Sequence, residues 1–455
     1  MKHSLQIALK SWFQLTLLVI ASLIFIYLRN GTTGLNLFIQ QWPLSNLAVT
    51  LASTTLTWLL LGTLLYMLAN GKIHAGNLWL TMGFFLIIFI YLGILRERFR
   101  YGDYHYYLEA ATALANGLPL PDSYLYLPLW AALLQFLVPL GDQGVMITLW
   151  TVNVFALGAF YFLLIRLLER YEFSNRFAIV LTVLFLLINT PLMRTLGFIQ
   201  VNLLTMDLIL LGILVYPKHE FFSALALALA VHLKTSPAVL VLAFLIEFNW
   251  RWLIWFTVSF LAIGFLPIAL NGVSLYYQYA NNAFLLTQIP DTNFHDTSFD
   301  SFLRFLNPFL GIQIAQTRIM ALAAKALLLV GTLAVMGQNI RTRAFTTENR
   351  MLNALPPLFI LMTLASPIVW DHHGIFVTLS FLLMFKQINS STSWMWFGLA
   401  YFLEFILPSF DFFPWSFGRL VAPLIILGLM WRIPKMPEES PFFDTVNTWL
   451  SRLPT

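Results

Sequence analysis

The chain has 455 residues, 59% of them hydrophobic and 10% charged, with a formal net charge of +5 and a mean hydropathy of +0.79. Soluble domains carry roughly 25% charged residues, so this composition excludes a soluble globular protein and describes an all-α polytopic membrane protein. The small net charge gives no reason to expect nucleic acid as a partner, and the lack of cysteine excludes disulfides and thiolate metal sites.

In chain order, MKHSLQIALKSWFQ followed by LTLLVIASLIFIYL has a basic start and no small-residue cleavage site, so it reads as a retained first span rather than a signal peptide. A bilayer core of about 30 Å needs roughly 20 apolar residues in a helix. Such runs lie near 11–28, 47–68 and 78–95. Lys2 and Lys10 precede the first, Lys72 and His74 separate the second from the third, and Arg29 alone marks the long loop after the first. The cytoplasmic bias of Lys and Arg then puts the N-terminus inside. The stretch 96–144, opening RERFRYGDYHYYLEAATALANG, is therefore external. Spans near 145–166, 177–193 and 200–216 keep Arg166, Arg170, Arg176 and Lys218 inside, provided that LYLPLWAALLQFLVPLG at 125–141 is interfacial or re-entrant.

The segment 221–248 is too long for one span and is interrupted by HLKTSP, which predicts a hairpin with its tip toward the outer side. Spans near 252–270, 316–336, 351–369, 374–386, 392–408 and 417–431 complete about twelve, with an external loop at 271–315 and a cytoplasmic tail at 432–455. No repeat or Gly/Ser linker divides the chain, so residues 1–455 read as a single membrane domain.

On this topology Asp103, His295, Asp296, Asp300, Asp371, His372 and His373 gather on the outer side. Ionisable groups beside apolar spans are costly to keep, and their one-sided clustering points to function. Solvated loop residues are the bland alternative for each. On a helix starting near Asp103, positions 103, 106, 107, 110, 111 and 114 share a face. Lys234 interrupts the apolar hairpin, where a charge costs roughly 2.5–3.5 kcal/mol on insertion scales; its partner is a ligand phosphate or an acid such as Glu404 or Asp207. No D-x-D occurs, and the adjacent ligands of Asp371-His372-His373 converge poorly on one ion, so the expectation is metal-independent chemistry without a cofactor.

The run Asp103-x-x-Tyr106-Tyr107-x-x-Ala110, with Gly117 and Tyr126-x-Pro128 behind it, resembles the first exported loop of glycosyltransferase family 87. Gln200-Val201-Asn202, Lys234-x-x-Pro237 and Ser366-Pro367-x-x-Trp370-Asp371-His372-His373 agree in order, so the resemblance covers roughly residues 96–375. Two extra spans precede the Asp loop, and the family's glycine beside the Gln is displaced to Gly197. The resemblance implies a GT-C-type helix bundle with external juxtamembrane helices. It further implies inverting transfer of a hexose, mannose above all, from a polyprenyl-phosphate-sugar to a lipid or glycan acceptor on the outer face of the cell (inner) membrane. Asp103 is the implied base, His372 or His373 the implied second catalytic group, and Lys234 the implied partner of the donor phosphate.

The chemistry agrees. A lipid phosphate leaves as a stabilised anion and needs positive charge, while the acceptor hydroxyl needs a carboxylate within about 3 Å to take its proton. An ordinary Asp titrates near 4 and is ionised at neutral pH. The remaining expected substrate contacts are Arg96, Arg98, Tyr106, Tyr107, Tyr126, Gln200, Asn202, Arg304, Trp370 and Asp371. For Asp103 the alternative is a helix N-cap, for the histidines loop backbone, and for the arginines ordinary anionic headgroups. The competing classes are a flippase or transporter of lipid-linked sugars and a glycan polymerase or ligase.

Overall fold

A computed structural model describes residues 2–30, 47–69, 77–94, 102–246, 248–288, 296–311, 314–343, 347–388, 390–408 and 415–432. Regular structure in these residues is helical, apart from one antiparallel bridge between Asp296 and Trp370. Three N-terminal helices, α1 (Lys2–Asn30), α2 (Leu47–Ala69) and α3 (Asn77–Ile94), precede α4 (Tyr104–Ala115) and the short α5 (Leu129–Leu134). The bundle continues through α6 (Gly141–Arg170), α7 (Asn175–Leu187), α8 (Thr190–Gly197), α9 (Asn202–Val215), α10 (Glu220–Leu233), α11 (Val241–Ile246) and α12 (Trp250–Asn271). It ends with α13 (Ser274–Gln288), α14 (Phe299–Leu310), α15 (Ile314–Arg343), α16 (Thr347–Leu364), α17 (Thr378–Met384), α18 (Ser391–Tyr401) and α19 (Gly418–Arg432).

Among the described residues four stretches are long and apolar enough to cross a membrane: Leu9–Leu28, Leu129–Arg170, Trp250–Asn271 and Gln316–Ile340; α7 and α8 together make a fifth, bent by 64°. Of the dozen spans expected from hydropathy, others appear there as shorter apolar helices, such as Leu51–Leu64, Leu78–Gly93, Asn202–Val215 and Met351–Leu364, and some runs are cut by local chemistry. Between α7 and α8, Asn189 turns its side chain to accept from Leu192 N (2.8 Å), and Pro191 supplies no N–H. The run at 374–386 becomes a 3-10 turn and the seven-residue α17, buried throughout, which at roughly 10 Å lies inside the protein rather than across a bilayer.

The predicted hairpin is present. Its arms are α10 and α11, and Lys234 and Thr235 form the break between α10 and the 3-10 turn Ser236–Leu240. Asn249 closes the opposite end through Glu220 Oε1 (2.8 Å) and the Tyr216 hydroxyl (3.1 Å). Where α9 passes α10, a Cβ on Gly212 would lie 3.1 Å from the Ser223 carbonyl oxygen, the close backbone approach that small residues allow between membrane helices. The guanidinium of Arg170 caps α9 by donating to the carbonyls of Ile213, Leu214 and Tyr216. Phe265 on α12 and Leu327 on α15 are among the large apolar side chains turned outward, as lipid contact requires.

The segment 125–141 forms α5 and a 3-10 turn that pack on α4 before running into α6. The 42-residue helical stretch Leu129–Arg170 reaches roughly 60 Å, so part of it stands outside the hydrocarbon.

Candidate active site

The site is built where helices break. After α8 the chain unwinds through Phe198–Val201, with Ile199 at φ 53°, before α9 starts at Asn202. The Phe198 carbonyl accepts the Asp103 N–H (2.9 Å) and pins the start of α4 against this unwound stretch. Asp103 occupies the N-cap position, yet its side chain makes no capping bond. Its carboxylate instead accepts from the Gln200 side-chain amide. The carbonyl end of Gln200 accepts from the hydroxyls of Tyr107 (2.8 Å) and Tyr126 (3.4 Å), which are themselves 3.2 Å apart. Gln200 and Tyr107 are buried.

Burial raises the Asp103 carboxyl to about 6, while the Gln200 hydrogen bond and the positive charge of Lys234 pull it back. The ordinary carboxylate value expected from the sequence is therefore corrected: among the described residues no cation touches Asp103 directly, so desolvation wins. Burial also pushes the Tyr107 and Tyr126 phenols up, which keeps them neutral donors.

The expected face of α4 needs a second correction. Tyr104, Tyr107, Ala110, Ala111 and Leu114 are buried, whereas Tyr106 is 50% exposed. At 100° per residue Tyr106 points about 100° away from the centre of the buried face. The two alanines pack into the protein toward α5 rather than lying on a membrane surface.

Lys234 reaches the site from the hairpin tip. Its ammonium donates to Asn202 Oδ1 (2.8 Å) and lies 5.4 Å from the centre of the Phe376 ring. Among the described residues it pairs with neither Glu404 nor Asp207. Asn202 is fully buried, and its Nδ2 donates to the His372 carbonyl (3.2 Å), which also accepts from Thr195 Oγ1 (3.3 Å).

The 3-10 turn Asp371–Ile375 fits tightly against α8 and the turn Phe402–Ile406. A Cβ on Gly374 would lie 2.2 Å from Glu404 Oε1 and 2.8 Å from Pro191 Cγ, so only glycine fits there. The carboxylate of Asp371, expected to meet substrate, is buried between Arg419 (3.1 Å) and Arg194 (3.6 Å). Arg419 also donates to the carbonyls of Glu404 (3.1 Å) and Leu407 (2.7 Å). His373 Nδ1 accepts from the Trp370 N–H (3.3 Å), so this imidazole serves its own turn. The His372 ring makes no hydrogen bond among the described residues and meets Phe198 edge-on at 6.1 Å. Burial, and then the charge of Lys234, hold both imidazoles well below the usual histidine value.

Of the other expected contacts, Arg96 and Arg98 lie outside the described residues, as does His295. Arg304 stands on α14, near Phe302 and Phe305, which pack on Phe417. Trp370 is half-buried and bridges to Asp296. Asp296 is committed to Val369 N (2.8 Å), Ser298 N (2.9 Å) and Ser298 Oγ (3.0 Å), and Asp300 to Lys325. Among the described residues no group of three or more His, Asp or Glu side chains converges as a metal site. Arg194 and Arg419 were missed by sequence reasoning; each is an arginine within an apolar helix, the same signal that singled out Lys234.

The family model for glycosyltransferase family 87 matches residues 124–367, more than half of the chain. The chain belongs to glycosyltransferase family 87. This family 87 member is a multi-pass membrane glycosyltransferase, and a sugar donor and an acceptor follow from that class. No curated protein and no solved structure matches the chain. The matched region contains Tyr126, Gln200, Asn202, Lys234 and Arg304, and leaves Asp103 just before it and Trp370–His373 just after it.

Proposed function

We propose that the protein transfers a hexose, mannose in the first instance, from a polyprenyl-phosphate-sugar to a lipid or glycan acceptor, with inversion at the anomeric carbon. The observation that carries this reading is the joint placement of a raised carboxylate, Asp103, and the ammonium of Lys234, which meets no carboxylate among the described residues and whose charge acts on Asp103 and on both histidines. A base for the acceptor hydroxyl and a cation for the departing phosphate are the two groups the reaction requires.

In this mechanism Asp103 takes the acceptor proton as the hydroxyl attacks the anomeric carbon, and the sugar–phosphate bond breaks on the opposite side. Gln200, held by Tyr107 and Tyr126, aims the carboxylate. Lys234 neutralises the leaving phosphate, with Arg96, Arg98 and Arg304 the further cations of the donor site. His372 faces the same space as a neutral hydrogen-bonding group. Asp371 and His373 act through the turn they stabilise, and Trp370 flanks it.

The site is read as facing the outer side of the cell (inner) membrane, with both termini cytoplasmic, from the Lys and Arg distribution. Transfer is read as metal-independent; loss of activity in EDTA with recovery in Mg²⁺ or Mn²⁺ would overturn that. The central test is to incubate the purified protein with labelled polyprenyl-phosphate-mannose and candidate acceptors. A new α/β-inverted glycoside supports the reading, whereas movement of intact donor across vesicles, or joining of preformed glycans, replaces it with transport or polymerisation.

A further inference from the structure

We infer that Asn202 is a positioning residue that holds Lys234 in place while leaving its positive charge unneutralised, so that the ammonium stays available to a phosphate. This rests on the reading of Lys234 as the donor-phosphate cation. Three observations carry it. The Lys234 ammonium donates at 2.8 Å to an amide oxygen rather than to a carboxylate. The same amide is fixed from its other end, since Nδ2 donates to the His372 carbonyl at 3.2 Å, which leaves Oδ1 facing the lysine. That carbonyl belongs to a turn anchored through the neighbouring Asp371 to Arg419 (3.1 Å) and Arg194 (3.6 Å), and Thr195 Oγ1 grips it at 3.3 Å. Asn202, Thr195, His372, Asp371, Arg194 and Arg419 are all buried.

The chemistry explains the residue type. An ammonium needs an acceptor to hold its direction, and a carboxylate would do so more strongly but would occupy the charge that the phosphate must meet. A neutral oxygen fixes the direction without forming an ion pair; burial lowers the Lys234 ammonium to about 7, and a bound phosphate would favour its charged form. Asp371, next to His372 in the chain, is satisfied by the guanidiniums of Arg419 and Arg194 and is not paired with Lys234.

The test uses the purified full-length protein and a sugar-free short-chain polyprenyl phosphate as the probe, with affinity and melting temperature measured for Asn202→Asp, Asn202→Ala and Lys234→Met. Asn202→Asp is isosteric and is expected to weaken binding roughly tenfold or more, the size of losing one hydrogen bond to a charged group. It should match Lys234→Met in affinity; its melting temperature is no criterion, because a new ion pair with Lys234 is offset by a carboxylate oxygen that replaces the Nδ2 donor facing the His372 carbonyl at 3.2 Å. Asn202→Ala leaves the charge but frees its direction, so its loss of affinity should be smaller and its melting temperature lower. A packing role alone gives the reverse order, with alanine the worse binder, and that order overturns the inference. Unchanged affinity in Asn202→Asp also overturns it. If Lys234→Met binds the probe as wild type does, the assignment of Lys234 itself falls, and the inference falls with it. Should Asn202→Asp fail to fold, Asn202→Ser replaces it: a hydroxyl too short to reach the ammonium must behave like alanine, and wild-type affinity there overturns the inference.

Discussion

Two aspartates of this protein sit in buried surroundings and are treated in opposite ways. Asp371 lies between two guanidiniums at 3.1 and 3.6 Å, and its oxygens are committed to holding a turn. Among the described residues Asp103 is met by the Gln200 amide and by no direct cation, and burial raises its carboxyl to about 6. The difference teaches which carboxylate is free to take a proton. A group locked by two cations is a structural anion, whereas one held by neutral donors, with a lysine acting from farther off, is close to the ideal value for a base at neutral pH.

The largest expected effect comes from abolishing the locked member. Asp371→Asn leaves Arg194 and Arg419 buried without their anion and should cost roughly 3–5 kcal/mol of stability. The check is thermal melting in detergent, and a partial recovery in Asp371→Asn/Arg419→Leu should accompany it. If Asp371→Asn melts like wild type while transfer disappears, the roles of the two aspartates are reversed. Asp103→Asn should instead lower transfer about a hundredfold or more with the fold intact, since general bases contribute about that much. Residual activity above roughly a tenth of wild type would remove Asp103 as the base.

The contrast can be sharpened with pH. With a base titrating near 6 and the Lys234 ammonium lowered by burial to about 7, kcat/KM should rise about tenfold per pH unit below the first value and fall above the second. The stability effect of Asp103 has the opposite sign. The folded value lies above the unfolded one, near 3.9, so the folded state binds the extra proton between them, and stability falls as pH rises from about 4 to about 6. Asp103→Asn should flatten the melting temperature over that window. The smallest effect is expected for Tyr107→Phe, which removes one of the hydroxyls that orient Gln200 (2.8 Å) and should slow transfer roughly three- to tenfold. No change in rate would mean that Tyr126 alone suffices to aim the amide.

Much of this was legible in the sequence. A lone lysine in an apolar hairpin marked Lys234, and the hairpin formed where HLKTSP interrupts it. The start of α4 at Asp103 and the grouping of Gln200 with Asn202 were also readable, because polar residues at the edges of apolar runs have few places to go. The direction of each side chain was not. Tyr106 and Tyr107 are adjacent and equivalent in composition, and only the packing of α4 against α5 chose between them. The partners of Asp371 lie 177 and 48 positions away along the chain in one direction or the other, beyond any local pattern. Span counting departs from the described helices at 374–386, where a 3-10 turn and the seven-residue α17 stand in place of a full span, since hydropathy carries no information about helix ends.

The grip of α13 on the loop that follows α4 has a separate consequence. Gln278 accepts from the Leu120 N–H at 2.8 Å, and Asn282 donates to the carbonyls of Pro121 (2.8 Å) and Tyr124 (3.3 Å). All three bonds end on main-chain atoms, so this seam reads the shape of the chain from 120 to 124, while the Leu120 and Tyr124 side chains are buried and the Tyr124 hydroxyl bonds Leu127 O (3.3 Å) and Ala131 N (3.1 Å). Residues on its exposed rim are free to diverge, or to be exchanged by an engineer seeking a different acceptor, without loosening the frame that holds Tyr126 beside Gln200.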